Sequence, residues 1–168
     1  MKHIFYHLTA VMVVVVWGMT FISTKVLIVH GLSPQEIFLF RFLLAYVAVC
    51  PISSHSFFAR NLKDELCLAG GGVLGGSLFF FLQNMALGLT QASNVSFIIC
   101  TAPLLTAVLT VLSVRTGKVS RGFIYGSIVA LLGVGLLIFN GSFILRISPL
   151  GDLLTLLASL SWGFYSLV

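Results

Sequence analysis

Six apolar stretches, at about 7–29, 34–52, 66–89, 92–114, 121–140 and 150–168, follow one another with almost no charge inside them. Each is close to the roughly 20 residues that cross a hydrocarbon core of about 30 Å. A run of this length in lipid has to satisfy its backbone hydrogen bonds internally, so each stretch is expected to be a helix. Runs such as Val13-Val14-Val15-Val16 and Leu78-Phe79-Phe80-Phe81 put apolar side chains in every direction. The strict alternation of a membrane β-barrel is therefore excluded. Composition agrees: 59% of the chain is hydrophobic and 8% is charged, against about 25% charged in a soluble domain. The expected class is all-α, a polytopic transmembrane helix bundle whose first partner is the lipid bilayer.

Several functions are excluded on the same ground. The net charge of +5 comes from nine scattered Lys and Arg against four Asp and Glu, too sparse to follow a phosphate backbone, so no nucleic-acid partner is expected. Cys50, Cys67 and Cys100 lie in apolar stretches without a Cys-x-x-Cys and read as small hydrophobes. His3, His7, His30 and His55 lie at segment ends, far apart, and offer neither metal-ligand spacing nor a nucleophile partner. No catalytic set, metal or cofactor is expected, and an enzyme is not the reading.

Loop charges set the orientation. With a cytoplasmic N-terminus, the inner segments hold Lys2, Arg60, Lys63, Arg115, Lys118 and Arg121, and the outer segments hold only Arg146. That bias places the N-terminus in the cytoplasm. The short Leu89-Thr90-Gln91-Ala92 link predicts a tight antiparallel hairpin of the third and fourth helices. Pro34 suits the first turn of the second.

Trp17-Gly18 in the first helix has an echo in Trp162-Gly163 in the last, 145 residues further on. Five helices lie between the start of one copy and the start of the next, and five is odd. A second copy would run through the membrane upside down, as in inverted-repeat transporters, and the two units together would span roughly 290 residues. The expectation is a first five-helix unit at 4–141 and, at 150–168, the first helix of a truncated second unit. The missing remainder would pack against the first.

Polar groups at membrane depth are costly unless they face protein or water, and so they are the candidate pathway residues. Arg41 lies seven residues into the second helix, roughly 10 Å deep. It is expected to face a cavity, or else to snorkel or to pair with Glu36 or Asp152. Lys25, nearer the outer end of its helix, is expected to snorkel. On the third helix Gly72, Gly76, Phe79 and Gln83 recur on one face, with Gly71 and Gly75 as a second pair. The glycines are expected to let helices approach, as are Gly122 and Gly126 on the fifth. Gln83 and Asn84 are candidates to bond across helices or to reach a solute. Asn94 and Thr101 share a face of the fourth helix, and Pro103 frees a carbonyl there. Trp17 is deep enough to form a cavity wall.

In order and spacing, these features resemble the drug/metabolite transporter superfamily of the EamA type. The resemblance is carried by the Trp17-Gly18 pair, Ser33-Pro34-Gln35-Glu36 through Arg41-Phe42, and Ala86-Leu87 through Gln91-Ala92-Ser93-Asn94 to Ala102-Pro103-Leu104. Gly133-Val134-Gly135 and Gly151-Asp152-Leu153-Leu154 with Ser161-Trp162 extend it over essentially the whole chain. Thr116-Gly117-Lys118 departs from the family, which often has a Glu after the fourth helix. The resemblance implies one inverted-repeat half of a ten-helix secondary transporter of the cell inner membrane, moving small metabolites or drugs by alternating access. Trp17, Arg41, Asn84, Asn94 and Pro103 would line or shape the pathway. The rival expectation is a non-transporting structural or assembly subunit, for which Arg41 would matter only to stability.

Overall fold

The structure, a computed structural model, describes residues 2–52, 61–113, 120–139 and 148–168. The loop cations Arg60, Arg115, Lys118 and Arg146, the Thr116-Gly117-Lys118 departure and His55 lie outside the described residues.

Six rods account for the described chain: α1 (Lys2–Val29), α2 (Pro34–Val49), α3 (Leu62–Leu89), α4 (Ala92–Ser113), α5 (Arg121–Phe139) and α6 (Pro149–Tyr165). They coincide with the six expected spans, apart from a few residues at the ends. Three of them, Ile4–Val29 within α1 together with α3 and α4, are long and apolar enough to cross a bilayer on length and composition alone. At 1.5 Å per residue, the 26 residues of Ile4–Val29 reach about 39 Å.

Two of the rods are not plain α-helices. α3 is an α-helix over Leu62–Gly71, a π-helix over Gly72–Leu78 and an α-helix again over Phe79–Leu89. α4 is interrupted between Ala92–Ile99 and Ala102–Ser113. Pro103 has no N–H to continue the ladder there, and Thr101 Oγ1 donates 2.6 Å to the Ile98 carbonyl across the break.

The turns follow from local chemistry. α1 ends with Gly31 at φ 100°, its N–H donating to Ile28 O while Leu32 N–H donates to Leu27 O. This closing motif needs the left-handed conformation that glycine adopts without strain. α2 then starts at Pro34 under a capping box. Ser33 N–H donates 2.8 Å to Glu36 Oε2, and Glu36 N–H donates 3.3 Å to Ser33 Oγ.

The interior is built on α6. It packs most extensively against the second half of α3, and next against both pieces of α4. Its buried face is Gly151, Thr155, Ala158, Ser159, Ser161 and Gly163, small or hydroxylated residues throughout. In lipid there is no hydrophobic drive to join one helix to another, so close approach and interhelical hydrogen bonds set the interface. The outward faces carry the large apolar side chains: Val13, Met19, Leu44, Val129 and Leu136 are all well exposed. The chain has 12147 Å² of accessible surface, where a soluble globular protein of 18.2 kDa would have roughly 8,100 Å². The exposed apolar side chains just named contribute to that excess, as in a bundle that turns an apolar surface to lipid.

Candidate functional site

α1 turns one stripe inward, with Trp17 and Ile28 half-buried and Phe21 and Thr24 buried, at the four-three-four spacing of a helix face. α2 contributes Ile37 and, one turn on, Arg41. α3 contributes Phe79, Gln83, Ala86 and Leu87 on its buried face, with Phe80 and Asn84 one turn apart beside them.

The Arg41 guanidinium lies between these three helices. Its Nη2 donates 2.7 Å to Oγ1 of Thr24, which is 1% exposed, and its carbon stands 5.9 Å from the Phe80 ring centre. No carboxylate pairs with it among the described residues. Glu36 is engaged with Ser33, and Asp152 Oδ2 accepts from Ser148 N–H at 3.2 Å. Of the three expectations for Arg41, the acid pairing is thus excluded, and a seat among α1, α2 and α3 replaces snorkelling.

Lys25 corrects the sequence reading. It does not run outward to headgroups: Nζ donates 2.6 Å to Leu87 O and 2.8 Å to Thr90 O. The last carbonyls of α3 have no partners within their own helix, and a cation from α1 supplies them. The C-terminal end of α1 is thereby fastened to the hairpin between α3 and α4.

The tryptophans of the two Trp-Gly pairs meet. The Trp17 and Trp162 rings are 5.8 Å apart, and Phe79 lies 4.9 Å from Trp162 on the other side. Phe79, Phe80 and Phe42 continue the aromatic contacts, at 5.0 and 5.9 Å, toward α2 beside Arg41. A cavity of about 590 Å³ opens between the start of α3 and the end of α6, walled by Gly71, Gly75, Gly76, Phe80, Trp162 and Tyr165. Small-molecule sites occupy about 300–1,000 Å³.

Gln83 and Asn84 are fully buried, and neither carboxamide has a hydrogen-bond partner; the Trp17 indole N–H has none either. An unpartnered buried amide costs about 1–3 kcal/mol. Asn94 is buried at the hairpin, its Nδ2 donating 3.4 Å to Thr90 Oγ1. Thr101 is half-buried at the break in α4, and Pro103 is exposed. The structure therefore gathers Trp17, Arg41, Gln83 and Asn84 around α3. Thr101 and Pro103 are on α4, Pro103 on its outer surface.

Among the glycines expected at helix contacts, Gly76 has Phe42 Cε1 3.8 Å from where a Cβ would stand. Gly72 and Gly126 have nothing within 4 Å there, and Gly122 has only Ser120 Oγ at 4.0 Å. The tight approaches are at Gly75, 2.5 Å from the Tyr165 ring, and at Gly163, 2.7 Å from Leu109 Cδ1. The π turns explain the change on α3. They advance more residues per turn than an α-helix, so the inward face runs Gly71, Gly75, Phe79, Gln83.

Thr24 and Tyr165 were not singled out in the sequence, and Ser161 entered only within the Ser161-Trp162 motif. Thr24 lies seven residues beyond Trp17, so the helical period starting from that tryptophan contained the signal. Ser161 Oγ donates 2.7 Å to Leu74 O, inside the π segment. Nothing local marks that contact, because the π segment itself is unannounced.

Fold and site together define a polytopic α-helical membrane protein with a polar and aromatic interior. The EamA-like transporter family model matches residues 4–139, and the chain belongs to that family. No curated protein and no solved structure matches it.

Proposed function

We propose that the chain supplies the first repeat of a secondary transporter that exports small metabolites or drugs across the cell inner membrane. Its N-terminus is cytoplasmic, and Pro149–Tyr165 opens an inverted second unit that forms the other wall of the pathway. The observation that carries the proposal is the charge at Arg41. A guanidinium without a carboxylate partner among the described residues, set at membrane depth against Thr24 and Phe80, with the buried, unpartnered Asn84 one turn along from Phe80, is costly in a merely structural bundle. Ionisable groups at that depth mark solute pathways. The contact of Trp17 with Trp162 supports the inverted arrangement, since equivalent residues meet where a pseudo-two-fold axis passes. Family membership supports transport as the activity.

The test is an efflux screen with a panel of small metabolites and dyes in cells that lack their own exporters and express the chain together with the second unit that completes the pathway. Arg41→Gln is expected to remove efflux of whichever solute is moved at normal membrane abundance, while Val129→Ala leaves it intact. Equal efflux by the parent and Arg41→Gln would show that Arg41 serves only the bundle.

A further inference from the structure

The charge balance around Arg41 narrows the class of solute, on the assumption that the pathway just proposed is correct. A guanidinium carries five N–H donors in a planar fork. Here Nη2 uses one of them on Thr24 Oγ1, and the ring of Phe80 is the nearest π surface. The other cation at this depth, Lys25, is held by the carbonyls of Leu87 and Thr90. One positive charge is therefore free to pair. A single carboxylate balances it and matches the fork two-pronged, whereas a phosphate dianion would leave one negative charge uncompensated in a low-dielectric site. Phe80 is shared: one ring serves both as the seat of the guanidinium and as a wall of the 590 Å³ cavity, whose other aromatic walls are Trp162 and Tyr165. The exposed lining of that cavity is mostly apolar, so it accepts an apolar body and offers no counter-charge for a second ionised group.

We infer that the solute is an organic monoanion, with a carboxylate that pairs with Arg41 and an apolar body that fills the cavity against Phe80 and Trp162. Cationic and neutral analogues of the same body bind more weakly.

The chain's two tryptophans, Trp17 and Trp162, both stand at this site, so their emission reports occupancy. The purified full chain in lipid nanodiscs is titrated with 3-phenylpropanoate, 3-phenylpropanamide and 3-phenylpropylamine, which share a body and differ in charge. The carboxylate is expected to bind about tenfold to a hundredfold more tightly than the amide, as one charge-assisted pair would give, and the amine most weakly. Arg41→Gln brings the carboxylate down to the level of the amide, and Arg41→Lys, which keeps the charge, retains part of the preference. Equal binding of the three probes by the parent chain overturns the inference, as does binding of none of them, or a carboxylate preference that survives Arg41→Gln. If Arg41→Gln does not fold, the ranking of the three probes on the parent chain decides alone. A parent chain that ignores probe charge while its efflux still depends on Arg41 would sink the anionic solute and leave the pathway standing.

Discussion

The second half of α3, Phe79–Leu89, and α5, Arg121–Phe139, are both strongly apolar helices, yet they lie in opposite environments. Phe79, Gln83, Asn84, Ala86 and Leu87 are buried, while no described side chain of α5 is. Apolar content cannot account for the difference. What surrounds the α3 segment is α6, whose buried face is glycine, alanine, serine and threonine. α5 rests only lightly on α4, where a Cβ at Gly135 would stand 3.6 Å from the Phe97 ring. In a bilayer, then, hydrophobicity says which segments cross, and small and polar side chains say which of them meet.

Substitutions that add bulk separate the two regions most sharply. Gly75→Leu drives a side chain into the Tyr165 ring and is expected to cost about 2–3 kcal/mol in thermal unfolding of the detergent-solubilised chain. Adding Tyr165→Ala should recover most of that loss, and no recovery would place the clash elsewhere. Lys25→Met removes two donors from the end of α3, for an expected loss of about 1–2 kcal/mol. Amide exchange at the hairpin should rise at the same time, and unchanged exchange would mean that the two contacts fasten nothing. Ser161→Ala deletes the hydrogen bond to Leu74 O and should cost about 0.6–1 kcal/mol, readable as a lower unfolding midpoint. Gly126→Leu, on the open face of α5, should stay within about 0.5 kcal/mol of the parent. A loss there as large as at Gly75 would erase the distinction between the two regions.

The six helices were legible as apolar runs, three of them long and apolar enough to cross a bilayer, and Pro34 marked the start of α2 through its preset φ. The interior was legible only in part. Trp17, Arg41, Gln83 and Asn84 stood out because polar or amphipathic groups are expensive in lipid, and the structure seats all four around α3. Lys25 was misread, because its partners are backbone carbonyls and a sequence does not show which carbonyls go unpaired. The register of α3 was missed for a related reason. A π segment over Gly72–Leu78 turns the inward face from Gly72 and Gly76 to Gly71 and Gly75, and three glycines within seven residues permit such a segment without announcing it.

Water access along α3 bears most directly on a solute path through this interior. With Cys50, Cys67 and Cys100 replaced, single cysteines at Gly72 and Phe80, on the cavity wall, and at Val129 are treated in native membranes with a charged, membrane-impermeant thiol reagent, which reacts with the thiolate that only water supports. Modification at Gly72 and Phe80, with none at the outward-facing Val129, is the expected result. Silence at both α3 positions, matching that at Val129, would mean a sealed bundle with no path through it.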